Sequence, residues 1–217
     1  MNRTCAILGA SGHGKVVAEI AELNGYTNIE FFDDRWPELQ NVEHWPVKGN
    51  SETLLKVAAQ FDLTVIAVGN NKVRLEKQKQ LSIAGAKFSV LEHPRATISR
   101  HSQLDKGTVV MAGAVINPFV KVGKACIINT SSTIDHDCRL EDGVHVSPGC
   151  NLAGGGVTVG GEGTWLGIGS QVKQLISIGT GGYGRSGCDC REPCTRFANC
   201  CGYACTARKQ VKITFLE

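Results

Sequence analysis

The chain reads as α/β plus β: a small Rossmann-like domain followed by a parallel β-helix of hexapeptide repeats. Three observations carry that reading. Every sixth residue from Ile98 to Leu152 is Ile, Leu or Val: Ile98, Leu104, Val110, Ile116, Val122, Ile128, Ile134, Leu140, Val146 and Leu152. A short apolar run near the N-terminus leads through a glycine-rich turn into a helical pattern. Up to about residue 92, further apolar runs alternate with further helical patterns. A period of six fits neither an isolated helix nor an isolated strand. It fits triangular coils with one short strand per hexad and three hexads per turn. Each coil then buries its aliphatic residues only against the coils above and below. A sandwich with irregular strand spacing is the alternative, and it does not account for an unbroken column of ten matches.

In the first domain, Cys5-Ala-Ile-Leu-Gly reads as a short buried strand. Gly9-Ala-Ser-Gly-His-Gly14 follows, and then a stretch from Lys15 with helical periodicity. Strand, glycine turn and helix is the order that sets backbone N–H groups and a helix N-terminus against a phosphate. The spacing is G-x-x-G-x-G rather than the dinucleotide G-x-G-x-x-G. That argues against NAD and leaves both phosphate binding and a plain tight turn open. Asn28-Ile-Glu-Phe-Phe reads as a second strand, and it ends in Asp33 and Asp34. Such a strand end meets the base or ribose of a nucleotide, although acidic strand ends are also common. Ser51 to Phe61 reads as a helix with Ser51 as N-cap. Leu63 to Val68 is a buried strand entering a turn at Gly69-Asn70-Asn71, and Lys72 to Ala84 is an amphipathic helix. Lys87-Phe-Ser-Val-Leu is a last strand, giving a parallel sheet of about four strands. A domain of 1–92 is too small for a dinucleotide but large enough for a mononucleotide or a nucleotide sugar. His93-Pro94 begins the crossing into the coils, 93–182.

Composition narrows the function. The chain has 217 residues, 42% of them apolar, and no apolar run long enough to span a membrane. Its N-terminus lacks the features of a signal peptide, so a cytoplasmic protein is expected. The net charge of +3 arises entirely beyond residue 182, where six basic residues face three acidic ones. The body is neutral, and nothing argues for nucleic acid.

The coils carry one polar cluster: Asn129-Thr-Ser-Ser-Thr-Ile-Asp135-His136-Asp137-Cys138, with His145-Val-Ser-Pro after it. Aliphatic residues take the inward positions, so His136 is expected on the outer surface or at a subunit seam. An imidazole between two carboxylates suits a general base, because a neighbouring Asp fixes the tautomer and stabilises the imidazolium. Taken alone, the pattern also describes a surface histidine in a polar turn, and His145 even more so.

Gly9-Ala-Ser-Gly-His-Gly-Lys, Phe32-Asp-Asp, Ala67-Val-Gly-Asn-Asn, Asn129-Thr-Ser-Ser, Ile134-Asp-His-Asp-Cys and His145-Val-Ser-Pro-Gly occur in this order. Together they resemble the bacterial sugar acetyltransferases that join a small nucleotide-sugar-binding domain to a left-handed parallel β-helix. Enzymes acting on UDP-4-amino sugars, as in bacillosamine synthesis, are the best-known members. Perosamine N-acetyltransferases and sialic acid O-acetyltransferases are relatives. The resemblance spans residues 1 to about 180. It implies an acetyl-CoA-dependent homotrimer with active sites between adjacent β-helices and no metal. It implies His136 as catalytic base and Asp137 as the acid that raises its basicity. Ser11, Gly12 and His13 would surround the phosphates of the sugar nucleotide, with Asp33 and Asp34 at its uridine part and Gly69 and Asn129 as further contacts. His145 would meet the thioester or pantetheine region of acetyl-CoA, and Gly154 and Ile168 its arm.

Two features depart from the pattern. The intervals Leu152 to Val159 and Val159 to Leu166 are seven residues, each containing a glycine run. They are either local bulges or small errors in the sequence. The phase returns at Val172 and Ile178 and then stops. The tail, 183–217, holds Cys188, Cys190, Cys194, Cys200, Cys201 and Cys205. It has neither a C-x2-C pair nor a histidine, which argues against zinc, and a disulfide scaffold does not suit a cytoplasmic enzyme. A frameshift is the preferred reading. Codons permitted from Tyr183 onward, read one nucleotide later, can encode a further hexapeptide coil and the Gly-x-Pro-Ala ending usual in this family. The reading that follows is an N-acetyltransferase for a nucleotide-linked amino sugar in bacterial glycan synthesis. O-acetylation of a sugar such as sialic acid is one alternative, and a non-catalytic β-helix binding module is another.

Overall fold

The computed structural model describes residues 2–160 and 163–179, Ser186, and the short strands Tyr183–Gly184, Asp189–Cys190 and Asn199–Cys200. The readings of the cysteine-rich tail otherwise lie outside the described residues.

The N-terminal sheet is built around β1 (Thr4–Leu8), four of whose five residues are buried. β2 (Asn28–Phe32) and β5 (Leu63–Ile66) flank it in parallel. Beyond β2 lies β4 (Trp45–Gly49), also parallel, and β3 (Asn41–Val42) pairs antiparallel with β4. The sheet thus has the expected four parallel strands, but the fourth is β4. The run Lys87–Leu91 is not in the sheet: it makes one bond there, from Thr64 N to the Lys87 carbonyl. Its end, Leu91–Glu92, pairs instead with Val109–Val110 in the coils. Proline and lysine break the apolar alternation of β4, which hides it in the sequence.

Three helices cover the sheet: α1 (Gly12–Leu23), α2 (Ser51–Val57) and α3 (Asn71–Ile83). The cap of α2 is Asn50, whose Oδ1 accepts from Thr53 N at 2.9 Å, and not Ser51. An amide oxygen placed three residues before a free N–H is the ordinary N-cap geometry. Ser51 is already the first helical residue. The side of the sheet under α1 joins Ile7, Val17, Ile20 and Phe31 to Val109, Met111 and Ile127 of the coils in one core. The other side packs Ala6, Leu8 and Phe32 against Leu54, Phe61 and Leu81.

The hexads form a left-handed β-helix with three parallel faces. The first face carries Leu91–Glu92, Val109–Val110, Ile127–Ile128, His145–Val146 and Trp165–Leu166. The second carries Thr97–Ile98, Val115–Ile116, Thr133–Ile134, Asn151–Leu152 and Gln171–Val172. The third carries Gln103–Leu104, Lys121–Val122, Arg139–Leu140, Thr158–Val159 and Ser177–Ile178. From Thr97–Ile98 onward the second residue of each pair points inward, and Val110, Ile128, Ile134, Val146 and Val159 are wholly buried, whereas in Leu91–Glu92 it is Leu91 that is buried. Ile98 and Leu104 are only partly buried, because the first coil has a neighbour on one side alone.

The first seven-residue interval is absorbed as a bulge, and the second runs through residues 161 and 162, outside the described residues. Leu140 still pairs with Val159, and Leu152 with Val172. Gly155 and Gly156 take the extra length in a turn between the second and third faces, both at positive φ. Among the described residues, no helix is long and apolar enough to cross a membrane.

Helix α3 lies along one edge of the coil stack. Asn71 Nδ2 donates to the Thr164 carbonyl at 2.9 Å and Gln78 Nε2 to the Lys106 carbonyl at 2.9 Å. The coil corners beneath it are Gly107, Ala125, Gly143 and Gly163, all at positive φ. A Cβ at Gly107 would strike Gln78, and one at Gly143 would strike Leu75. Small corners are therefore a condition of the helix lying so close.

Candidate active site

His136 lies in the turn that links the second and third faces. Its Nδ1 is 2.8 Å from Asp137 Oδ2, and both side chains are about half exposed. An ionised carboxylate only accepts, so the proton sits on Nδ1 and the Nε2 lone pair is free. The Asp137 hydrogen bond is the main reason that His136 is raised above its ordinary value, and the charges of Asp135 and Asp137 act in the same direction. Asp135 is itself held by Asn117 Nδ2 at 2.7 Å and accepts His136 N at 2.8 Å. Asp137 adopts φ 63°, and its N–H reaches the Pro118 carbonyl at 3.3 Å. That left-handed turn brings its carboxylate back onto the imidazole. Gly154, one coil up, faces the ring so closely that a Cβ there would overlap it.

His145 stands on the first face beside Asn129, with Nε2 at 3.2 Å from Asn129 Nδ2. Asn129 Oδ1 accepts Thr130 N at 2.8 Å, which orients the amide with its NH2 toward His145. His145 Nε2 is thus an acceptor, and its proton sits on Nδ1. Burial first, then the positive charge of Arg74, lowers His145 to about 3. His13, at the start of α1, is lowered to about 4 for the same two reasons, and its buried Nε2 has no hydrogen-bond partner. His13 also contributes to the lowering of His145, so the glycine loop and the first face form one neighbourhood of two neutral imidazoles.

The loop itself divides by role. A Cβ on Gly9 would meet the Ala67 carbonyl, and one on Gly14 would meet the Gly9 carbonyl and Phe31. These two glycines are packing requirements. Gly12 and Gly69 border open space. Ser11 is the N-cap residue of α1 but makes no side-chain cap bond, whereas Asn50 and Asn70 cap α2 and α3 with their side chains. The N–H groups at the start of α1 thus receive no side-chain acceptor.

Both acidic positions are engaged within the fold. Asp33 accepts Ala10 N at 2.7 Å and a paired contact from Arg35, through Nε at 2.8 Å and Nη2 at 3.1 Å. Arg35 foremost holds Asp33 down at about 2. Asp34 Oδ1 accepts Ser51 N at 2.8 Å, and this bond foremost lowers it. Asp33 therefore fixes the glycine loop and Asp34 the start of α2. Arg35, exposed at the loop's edge, was not singled out by the sequence.

Two clusters result. His13 of the glycine loop interacts with His145, which sits beside Asn129 on the first face; Ser11 and Gly12 precede His13 in the loop, and Gly69 stands in the turn after β5. His136, Asp137 and Gly154 occupy the edge between the second and third faces. In a three-sided coil that edge lies opposite the first face, so one chain does not bring His136 and His145 together. Ile168, 56% exposed, sits on the remaining edge, between the first and second faces. Sequence reasoning also missed Arg74, which is 2% exposed. Burial lowers it to about 10, so it stays charged at neutral pH. The available signal was a polar stripe, Asn71, Arg74 and Gln78, at helical spacing in a helix with a small-residue corner column to meet.

The family model described as the PglD N-terminal domain matches residues 4–81. The UDP-N-acetylbacillosamine N-acetyltransferase of Bacillus subtilis (strain 168) is 36% identical over 114 residues, 51% of this chain and 52% of that protein. The chain thus spans about half the length of the curated relatives it matches. The acetyltransferase domain of PglB from Neisseria gonorrhoeae FA1090, in complex with acetyl coenzyme A, is 36% identical with a TM-score of 0.83, covering 90% of this chain and 93% of that one. PerB from Caulobacter crescentus, in complex with CoA and GDP-perosamine, is 31% identical with a TM-score of 0.84, covering 90% and 92%. Identity and coverage of this order, on the hexad column and glycine loop described above, show that the chain belongs to the left-handed β-helix family of bacterial sugar N-acetyltransferases.

Proposed function

We propose that this chain transfers an acetyl group from acetyl-CoA to the amino group of a nucleotide-linked sugar, of the UDP-4-amino class, in bacterial glycan synthesis in the cytoplasm. The observation that carries the proposal is the half-exposed His136–Asp137 pair, with its proton fixed on Nδ1 and its Nε2 facing the bare backbone of Gly154. The relatives' acetyl-CoA and nucleotide-sugar complexes support the two substrates.

A sugar amine must shed a proton to attack. Nε2 of His136 takes that proton as nitrogen adds to the thioester carbonyl, and Asp137 steadies the imidazolium. The C–N bond forms, the C–S bond breaks, and CoA thiolate leaves and recovers the proton. A backbone N–H stabilises the oxyanion, and no covalent enzyme intermediate is required. The open N-terminus of α1 with Ser11, Gly12 and His13 receives the diphosphate. Gly69 and Asn129 border the sugar nucleotide. Asp33 and Asp34 act on the uridine end through the loop and helix they hold. His145, Gly154 and Ile168 line the acetyl-CoA path.

His136 and His145 lie on opposite sides of one coil stack. A site that uses both therefore takes them from two chains, which favours a homotrimer with active sites at its seams. Mass spectrometry after incubation with acetyl-CoA and a panel of UDP-4-amino sugars, with free sialic acid beside them, tests the proposal. One added acetyl on a UDP-amino sugar, abolished by His136→Ala, is the expected result. Acetylated sialic acid alone, or full transfer by the His136→Ala chain, overturns it.

A further inference from the structure

Arg74 is a buried cation, and among the described residues no carboxylate pairs with it. Its guanidinium offers five N–H donors, and five acceptors surround it. Nε donates to the Ala125 carbonyl at 2.7 Å, and Nη2 to the Gly143 carbonyl at 3.0 Å and to Asn71 Oδ1 at 2.8 Å. Nη1 donates to the carbonyls of Val68 at 2.9 Å and Gly69 at 3.3 Å. Two of these carbonyls belong to the turn that leaves β5, where Gly69 borders open space. Two others belong to the corners of successive coils. Gly9 packs directly on the Ala67 carbonyl, so the turn that Arg74 holds also backs the glycine loop.

We infer that Arg74 is a positioning residue for the nucleotide-sugar side of the site: its guanidinium clamps the Val68–Gly69 turn to the Ala125 and Gly143 coil corners and so fixes the glycine loop relative to Asn129 and His145. The inference rests on the proposed function for its substrate. The planar five-donor fork is what the role demands. A lysine keeps the charge but has three donors on one atom and cannot face both the turn and the corners. An apolar residue of similar size leaves every carbonyl unpaired. No hydrogen bond of Arg74 goes to His136, His145, Gly154 or Ile168, so the acetyl-CoA side should change less than the sugar-nucleotide side.

The test uses the full chain with Arg74→Lys and Arg74→Met, assayed for both substrates. KM for the UDP-4-amino sugar should rise about tenfold or more in each, with KM for acetyl-CoA held within about twofold. UDP alone, measured by calorimetry, should bind correspondingly weaker. A merely structural role would lower thermal stability and leave the KM values of the folded enzyme unchanged. Folded variants with unchanged sugar-nucleotide KM, or a change confined to acetyl-CoA, overturn the inference. Should neither variant fold, Asn71→Ser removes the one side-chain acceptor and leaves Arg74 in place. An unchanged KM in that variant overturns the inference equally. A wild-type chain that acetylates no amino sugar defeats the proposed function instead. UDP affinity and hydrogen exchange over 66–72, compared between wild type and Arg74→Lys, still decide the clamp in that event. Equal affinity and equal exchange defeat it.

Discussion

His136 and His145 are shifted in opposite directions, and each cause is local. A carboxylate beside an exposed ring favours the imidazolium, so His136 is raised above 6.5. The activity that depends on its neutral form should fall as pH drops through that raised value. In a pH profile of kcat/KM, the acid limb should therefore lie above 6.5, and Asp137→Asn should move it down while lowering the plateau. His136→Asn should cost about 10²–10⁴ in kcat with little change in either KM. His13 and His145 run the other way. They fold neutral at about 4 and about 3 but take up protons near 6.5 when unfolded. The unfolded state then binds more protons across that window, so the stability they contribute is full above 6.5 and drains away as pH falls toward 3. Urea midpoints at successive pH values should decline over this range, and His145→Asn should flatten the decline.

The elements differ in how openly the sequence announces them. The inward column from Ile98 to Leu152 is legible because stacking admits only aliphatic side chains at those positions. The run at 87–91 resembles a strand in composition, yet β5 takes one bond from it and its end is recruited by the coils. Such a choice depends on which partner arrives, and no local pattern records it. Arg74 was invisible for a related reason: a charged residue in a helix reads as solvent-facing until the carbonyls around it are known. His136, by contrast, could be found, because the hexad phase excluded it from the interior. Helix caps offer an element-level test of the glycine loop. Asn70→Ala should destabilise the fold by about 1 kcal/mol, since it deletes the bond to Val73 N. Ser11→Ala deletes no cap bond. It should leave the thermal midpoint unchanged and raise KM for the nucleotide sugar.

The arrangement of the whole molecule rests on two surfaces that face away from each other. The first face carries the nucleotide domain and His145, and the opposite edge carries His136. A ring of chains that sets the edge of one against the first face of the next completes every site without moving either domain. Mixing supplies the test. His136→Ala chains and His145→Ala chains, each impaired alone, should recover about a quarter of wild-type activity when unfolded together and refolded in equal amounts, from random assortment around a closed ring. No recovery would place both histidines within one chain's own site.

The polar stripe of α3 imposes a limit on architecture. The seven residue steps of helix from Asn71 to Gln78 rise about 10 Å, while the three coil steps they serve climb about 14 Å. The two lattices are incommensurate, and the shortfall falls at the middle of the stripe. There a single guanidinium spans two coils, from Ala125 to Gly143. Helix α3 thus works as a gauge of fixed span, matched to four corners and no more. Coils inserted within that span would break the match. Coils added beyond Thr164 would not be measured by it, which leaves the far end of the solenoid free to vary in length while the nucleotide domain keeps its seat.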